Sequence, residues 1–418
     1  MRDKMRTKGF ILILLLIASQ YTMAQNPDIS GFARSYEGVL LKTGNFGIVQ
    51  QTLNLNFEKR GGKVAFKANP MAFLYNADSL DVRMRELYMD MYFDNFDIRI
   101  GKQQVVWGKA DGVFITDIVS PLNLTEFLLP DFDEIRTGVI ATKVNYYLGN
   151  STLEAIWIPV FTPTEKPPQG SIWYIQPDFP APPTWDFSRE QITPSLESSE
   201  LFLKYTALTS AIDFEFMGAY TWDDNPTLHV QKEFELDPNS QQPVLTGLYI
   251  TPEHHRLAIA GGSFSSEIKG VILRGEAAYY NGKYFLTEDP LEADGNIQKN
   301  YLHYLVGLDF NLGAVKVSSQ FIQQTILNYD NYIQNEQTEN TMTFLARYDM
   351  FRETLHLELF SYIGLSNSDA LIRPKITYDF DDSFSILLGS NIFVGDEGGR
   401  FGQYHDNSMI YTKIKYSF

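Results

Sequence analysis

Six histidines, His229, His254, His255, His303, His356 and His405, are the obvious places to look for catalysis or metal binding in this 418-residue chain, which has no cysteine. None of the six stands in a recognisable nucleophile motif. His254 and His255 are adjacent, so on extended backbone their rings point to opposite faces and make a poor metal pair. His356 and Glu358 share one strand face, a spacing that suits a structural hydrogen bond better than acid–base work. There is no phosphate-cradling loop, dinucleotide fingerprint or zinc spacing, and no recognisable calcium-ligand pattern among the acidic residues. The sequence therefore predicts no enzyme, no catalytic residue, no cofactor and no metal.

A second kind of chemistry is written around residues 108–134. Trp107, Lys109, Asp111, Asp131, Asp133 and Arg136 flank a run holding Val113, Phe114, Ile115, Ile118, Val119, Leu122, Leu124, Phe127, Leu128 and Leu129. An outward loop with so much apolar surface would be adhesive. Folding back against an inner wall hides it, with the six flanking residues as anchors through charged hydrogen bonds. Gly108 and Gly112 permit the sharp departure from a strand. Asn123 or Thr125 would cap a short helix through Leu129, ended by Pro130. The competing expectation is a loop packed over the rim with its charges in solvent.

Such a wall has to come from strands. Segments of about 9 to 13 residues with period-two alternation recur along the chain, as at 96–100, 355–359 and 372–380. About 18 are expected (16–18), forming a single closed antiparallel transmembrane β-barrel of the all-β class over residues 25–418. The 24 tyrosines and 30 phenylalanines suit aromatic girdles at two membrane interfaces. No later stretch is long and apolar enough for a transmembrane helix. Connections alternate between tight turns, as at 59–62, 94–95, 149–150, 209–210, 313 and 381–382, and longer loops at 108–134, 161–197, 223–253, 281–299, 327–340 and 395–407. Short turns on one rim and long loops on the other fit a periplasmic and an external face. The prolines of 161–197, Pro177 among them, would stiffen that loop and keep it out of any sheet. Its aromatic rings either pack a small core of their own or line an entrance.

At the N-terminus, Arg2, Lys4, Arg6 and Lys8 precede a short apolar run and Thr22-Met23-Ala24, so residues 1–24 read as a signal peptide cleaved before Gln25. The formal charge of −17 makes nucleic acid an unexpected partner. Acidic residues concentrate in the long loops and would give an acidic external mouth. Strand faces carry both signs, so Glu86, Asp90, Asp97, Arg99, Arg274, Glu276, Arg347, Arg373 and Lys375 are expected to line a mixed-charge lumen.

The final strand, with Ile410, Thr412, Ile414, Tyr416 and Phe418 on one face and Tyr411, Lys413, Lys415 and Ser417 on the other, resembles the closing strand of outer-membrane barrels. That resemblance implies that Tyr416 and Phe418 serve as an assembly signal for the barrel-assembly machinery. Residues 98–112 (IRIGKQQVVWGKADG), 118–121 (IVSP) and 127–136 (FLLPDFDEIR), with 85–90 (RELYMD) upstream, resemble a signature of uncharacterised Gram-negative porin-like barrels distantly similar to alginate-export porins. It implies a channel in the outer membrane, in contact with its lipid, for a small or hydrophobic solute. A polyuronate cargo would favour a strongly basic lumen, whereas this one is mixed. The alternative is a non-conducting barrel, either a surface binding or adhesion protein or an accessory of a lipid-export system.

Overall fold

Leu201, Leu203 and Tyr205 are exposed while Phe202 between them is buried, and this two-residue rhythm repeats from strand to strand. The computed structural model describes residues 27–176 and 179–418. The expected signal peptide and Pro177 fall outside the described residues. The strands, in chain order, are β1 (Asp28–Leu40), β2 (Phe46–Gly61), β3 (Val64–Tyr75), β4 (Ser79–Tyr92), β5 (Phe96–Gln103), β6 (Val139–Leu148) and β7 (Ser151–Ile158). They continue with β8 (Thr184–Trp185), β9 (Glu200–Leu208), β10 (Asp213–Trp222), β11 (Thr227–Leu236), β12 (Pro243–Glu253), β13 (Arg256–Ile268) and β14 (Val271–Leu286). The last are β15 (Asn296–Leu312), β16 (Val315–Leu327), β17 (Thr338–Met350), β18 (Leu355–Gly364), β19 (Asp369–Asp379), β20 (Phe384–Gly395) and β21 (Met409–Ser417).

All but β8, β11 and β12 form one 18-stranded sheet, each strand antiparallel to its neighbours. It closes where β21 pairs β1 in unbroken register from Phe32 opposite Ser417 to Leu40 opposite Met409. Beyond the register, Gly31 and Phe418 exchange backbone hydrogen bonds of 2.9 and 3.0 Å. Closure leaves the barrel without an unpaired edge, which strands in lipid require. No described helix is long and apolar enough to cross a membrane.

Turns of two to four residues join the strands at one rim, at 62–63, 93–95, 149–150, 209–212, 269–270, 313–314, 351–354 and 380–383. Both ends of the sheet lie there too. Outward rings gather nearby: Tyr378 stands 4.7 Å from Phe380, and Tyr416 6.5 Å from Phe418. The other rim carries the long connections 104–138, 159–199, 223–255, 287–295, 328–337 and 396–408, together with three short ones at 41–45, 76–78 and 365–368.

Two expectations about the loops need correction. The stretch 223–253 contains an antiparallel hairpin, β11 against β12, whose alternation is masked by Glu233, Glu235 and Asp237. The proline-rich stretch does join a sheet, because Thr184–Trp185 pairs in parallel with Tyr249 and Ile250 of that hairpin. Only some of its rings pack on one another. Trp173 is buried against Phe393 and Tyr404, whereas Trp185 stacks on Phe187 at the surface.

The interior differs from a uniformly polar lumen. One buried apolar cluster joins Leu128, Leu129 and Ile135 to wall residues such as Leu345, Phe360, Leu371 and Phe393. A second joins Val105, Trp107, Ile115 and Val119 to Ile156, Phe202, Leu257, Ile259 and Ile322. Where residues 104–138 fill the bore, the inward positions therefore combine apolar side chains with buried polar ones such as Arg274, Glu276, Gln320 and Arg373.

Candidate functional site

Residues 104–138 leave β5 after Gln103, whose side-chain amide donates to the Ala141 carbonyl at 3.0 Å and fastens the exit point. The chain then turns inward and is held first by backbone contacts. Val105 N–H reaches Ser120 Oγ and Trp107 N–H reaches Asp117 Oδ1, both at 2.9 Å. Trp107 is buried, with its indole N–H donating to Glu154 and its ring edge-on to Phe202. Gly108 and Gly112 take φ of +81° and +76°. At Gly112 an added Cβ would lie 2.6 Å from Phe360 and 2.7 Å from the Tyr362 hydroxyl, so glycine is required twice over.

Arg274 of β14 donates to the Lys109 carbonyl and the Asp111 carboxylate, and Glu276 accepts from Lys109 N–H and, at 2.9 Å, from the Thr116 hydroxyl. Gln320 of β16 clamps the Asp111 backbone through bonds of 3.0 and 3.2 Å, and Tyr362 donates to the Gly112 carbonyl at 2.7 Å. On the far side Arg373 donates to the Leu128 and Leu129 carbonyls at 3.0 and 2.7 Å. Lys413 and Lys375 sit 3.1 and 3.5 Å from Asp131, and Arg34 forks onto Glu134 at 2.8 and 3.0 Å. The segment is thus bonded to strands nearly all the way around.

The six residues expected to anchor it fall into three groups. Asp111 and Asp131 bind the wall through their carboxylates. Arg136 acts within the segment, donating to Asp117 at 2.7 Å and to the Phe132 carbonyl at 2.6 Å, while Trp107 packs at the exit. Lys109 and Asp133 are held by their backbones; the Asp133 carbonyl accepts from Arg85. Glu134, Asp117, Asp111 and Asp131, assigned to an acidic external mouth, are instead paired inside the barrel. The expected short helix is a turn: Asn123 Oδ1 caps Thr125 N–H at 3.1 Å, but Phe127 takes φ +55°, which a helix does not tolerate.

Burial pushes the Asp131 carboxyl up, but Lys413, Lys375 and Arg373 outweigh it and hold the group well below the usual range. Glu126 goes the other way. Burial dominates over Lys413 and Arg34, so its carboxyl is raised.

Open space remains on several sides of the inserted segment, including about 220 Å³ between Ile118 and Tyr280, and two adjoining cavities lie between the segment and β1–β5. A cavity of about 340 Å³, lined by residues including Arg34, Arg83, Lys102, Glu126 and Arg136, adjoins one of about 380 Å³ with Lys67, Glu86 and Gln104 in its wall. Arg85 and Arg136 border both. Most charges there are matched: Arg83 with Glu165 at 2.8 Å and Lys67 with Glu86 at 3.1 Å. Arg85 and Lys102 have no carboxylate partner among the described residues.

Of the strand residues expected to line the lumen, Glu86 lines this side passage. Arg347, Arg373 and Lys375 line a separate cavity of about 300 Å³ beneath the segment. Asp90 and Arg99 form a forked pair at 2.7 and 2.9 Å, and Asp97 accepts from Tyr147, all toward the short-turn rim. Arg274 and Glu276 are buried under the segment and face no open bore. The pairing of His356 with Glu358 is also corrected: His356 bonds Asp349 at 2.8 Å and Asp379 at 3.0 Å, while Glu358 pairs with Arg347 and Lys375.

Sequence reasoning missed Arg34, Gln320, Tyr362 and Lys413 as anchors, because their relation to the loop depends on registers set far away in the chain. It also missed a histidine cluster. His255 finds its partner not in His254 but in His229, 2.9 Å away, with Glu253 alongside.

A family model described as protein of unknown function (DUF1302) matches residues 75–354. No curated protein matches by sequence. Among solved structures the chain is similar to OccK5 (OpdH) of Pseudomonas aeruginosa, with 10% identity, a TM-score of 0.52, and 94% of this chain and 97% of that one covered. OccAB1 of Acinetobacter baumannii is similar at 9% identity and a TM-score of 0.53, covering 94% and 95%. OccK2 (OpdF) of Pseudomonas aeruginosa in complex with glucuronate is similar at 11% identity and 0.52, covering 94% and 97%. At these identities the likeness concerns the fold.

Proposed function

We propose, from the premise that this chain belongs to the DUF1302 family, that it is a porin-like channel of the Gram-negative outer membrane with its passage displaced to one side of the bore. The segment 108–134 is the constriction, and the solute moves between it and β1–β5. The observation that carries this reading is the pair of adjoining cavities between the segment and β1–β5. Strands β14, β16, β18, β19 and β21 bond the segment directly; β1, β2 and β4 also reach it, through Arg34, Gln50 and Arg85, but between those contacts lie two adjoining cavities lined by polar and apolar residues. Water-lined space in a closed barrel is what a conducting pore needs.

The passage suits a small solute. Its charges are of both signs: Arg85 and Lys102 have no carboxylate partner and Glu126 and Asp133 no cationic one among the described residues, which favours a compact polar molecule over a polyion. The neighbour crystallised with glucuronate shows that a related fold accommodates such a molecule. A uronate polymer of the alginate type is not proposed, because a narrow passage of mixed charge offers a polyanion no continuous basic track. Assembly by the barrel-assembly machinery, with Tyr416 and Phe418 as its signal, completes the reading.

The test is single-channel conductance of the folded protein in planar bilayers, first in sodium chloride and then with a bulky organic cation or anion replacing each ion. Small steady currents with weak charge selectivity are expected, with larger ones after deletion of 113–129. Selectivity should shift toward cations in Arg85→Gln/Lys102→Gln. A folded barrel that conducts neither before nor after the deletion refutes the channel and favours a binding role for the outer loops.

A further inference from the structure

The hairpin β11–β12 brings together residues that the sequence keeps apart. His229 pairs with Thr251 and Thr227 with Glu253, so His229 and Glu253 lie diagonally on one face of the hairpin. His255 follows Glu253 by two positions and returns to the same side. The result is a His, a Glu and a second His whose ligand atoms all lie within 4.8 Å of one another. His229 Nε2 is 2.9 Å from His255 Nε2 and 3.6 Å from the Glu253 carboxylate.

The surroundings fit a metal better than a bare hydrogen bond. The other nitrogen of His229, Nδ1, faces Asp294 Oδ2 at 2.9 Å. That carboxylate accepts a hydrogen bond from Nδ1–H and leaves Nε2 a lone pair aimed at the cluster, the outer-sphere arrangement that orients metal-binding imidazoles. His255 is fixed in turn by stacking on Tyr284 at 3.9 Å between ring centres. A lone pair and a carboxylate thus converge on one point from rigid directions. In a tetrahedral zinc site, metal–nitrogen bonds of about 2.0–2.1 Å place two nitrogens roughly 3.3 Å apart, a few tenths of an ångström beyond the present spacing. Arg189 also meets the Glu253 carboxylate, and would share or yield that oxygen.

We propose that His229, Glu253 and His255 bind a divalent transition-metal ion of the zinc class, with Asp294 as a positioning residue and a water as fourth ligand. Two imidazoles and one carboxylate suit such an ion better than calcium or magnesium, which prefer all-oxygen shells. The site joins three parts of the outer rim: the hairpin, the start of β13, and the loop 287–295. That loop already touches the hairpin where Val230 N–H donates to the Asp294 carbonyl at 2.8 Å. Metal would therefore clamp the hairpin, and β8 with it, onto the barrel.

The experiment is zinc uptake by untagged, folded protein in detergent, measured by competition with a chromophoric chelator after stripping and reloading. Heat-shifted electrophoretic mobility verifies the barrel in every variant. One equivalent is expected for the native chain, with at least tenfold weaker binding in His229→Ala, His255→Ala and Glu253→Gln. Asp294→Asn should lose about 10- to 100-fold, and Arg189→Ala should bind more tightly. His356→Ala, at the opposite rim, serves as control and should bind as the native chain does. Equal zinc uptake by the native chain and the folded His229→Ala/His255→Ala double variant, or none by either, overturns the site. Uptake indifferent to Glu253→Gln overturns the three-ligand geometry.

Discussion

Replacing Arg373 with methionine should let the inserted segment leave its seat. The buried guanidinium donates to the Leu128 and Leu129 carbonyls and to Asn391 Oδ1. Methionine fills much of the stem's volume and removes every donor. A hydrogen bond to a charged group is worth about 1.5–3 kcal/mol, so the two carbonyl bonds together supply roughly 3–6 kcal/mol. Water can enter from the adjoining cavity and repair part of that loss. A net penalty of about 2–4 kcal/mol remains, and at 1.4 kcal/mol per decade the undocked population rises from about thirtyfold to several hundredfold. Single-channel recordings should show transitions to a larger conductance level, with a matching gain in time spent there. Arg347→Met is the control, since Arg347 pairs with Glu358 at 2.8 Å and bonds no part of the segment. A folded Arg373→Met barrel with the native conductance levels and dwell times would refute the reasoning.

Gly112→Ala should destabilise docking by another route. A left-handed φ costs an alanine about 1–2 kcal/mol, and overlap with Phe360 and Tyr362 adds about 1–3 kcal/mol, so protease cleavage within 113–129 should speed up at least tenfold. Acidification acts through Glu126. Its raised carboxyl takes up a proton in the folded protein at a pH where the unfolded chain would still be ionised, so this group adds stability to the docked state as pH falls. Protonation also removes one negative charge from the passage, and reversal potentials should shift toward anions as pH is lowered from neutrality. Glu126→Gln should show that shift at neutral pH and abolish its pH dependence; an unchanged titration would exclude Glu126 as the source. Deleting Phe418 removes the two backbone bonds with Gly31, a loss of about 1–3 kcal/mol at the seam. If the residue is also an assembly signal, the yield of folded barrel in membranes should fall further than refolding in detergent does.

The barrel was legible because lipid imposes one rule on every outward position, and that rule shows in sequences such as 372–380 without knowledge of any neighbour. Inward positions obey no single rule. Leu201-Phe202-Leu203 is apolar on both faces, because Phe202 meets Trp107 of the inserted segment, and so its alternation exists in burial but not in composition. Asp111 and Asp131 could be picked out as anchors from their flanking position. Their partners could not, because Arg274 and Lys413 lie 163 and 282 residues further on. The histidine cluster was hidden by the hairpin register that brings His229 beside residues 253–255, and the hairpin by its own acidic residues.

Residues 104–138 are made early, but their seat is made late. Gly112 waits for Tyr362, 250 positions downstream, and Leu128 for Arg373, 245 downstream. Until β14 to β21 exist, the Leu128–Leu129 end of this connection lacks the wall that covers it, although Trp107 and Ile115 already have Ile156, Phe202 and Ile259, and contacts across such separations are slow to form. Filling the bore is thus tied to finishing the wall. A chain missing its last strands would display the Leu128–Leu129 end of this segment bare, giving quality-control proteases and chaperones a ready mark of an unfinished barrel.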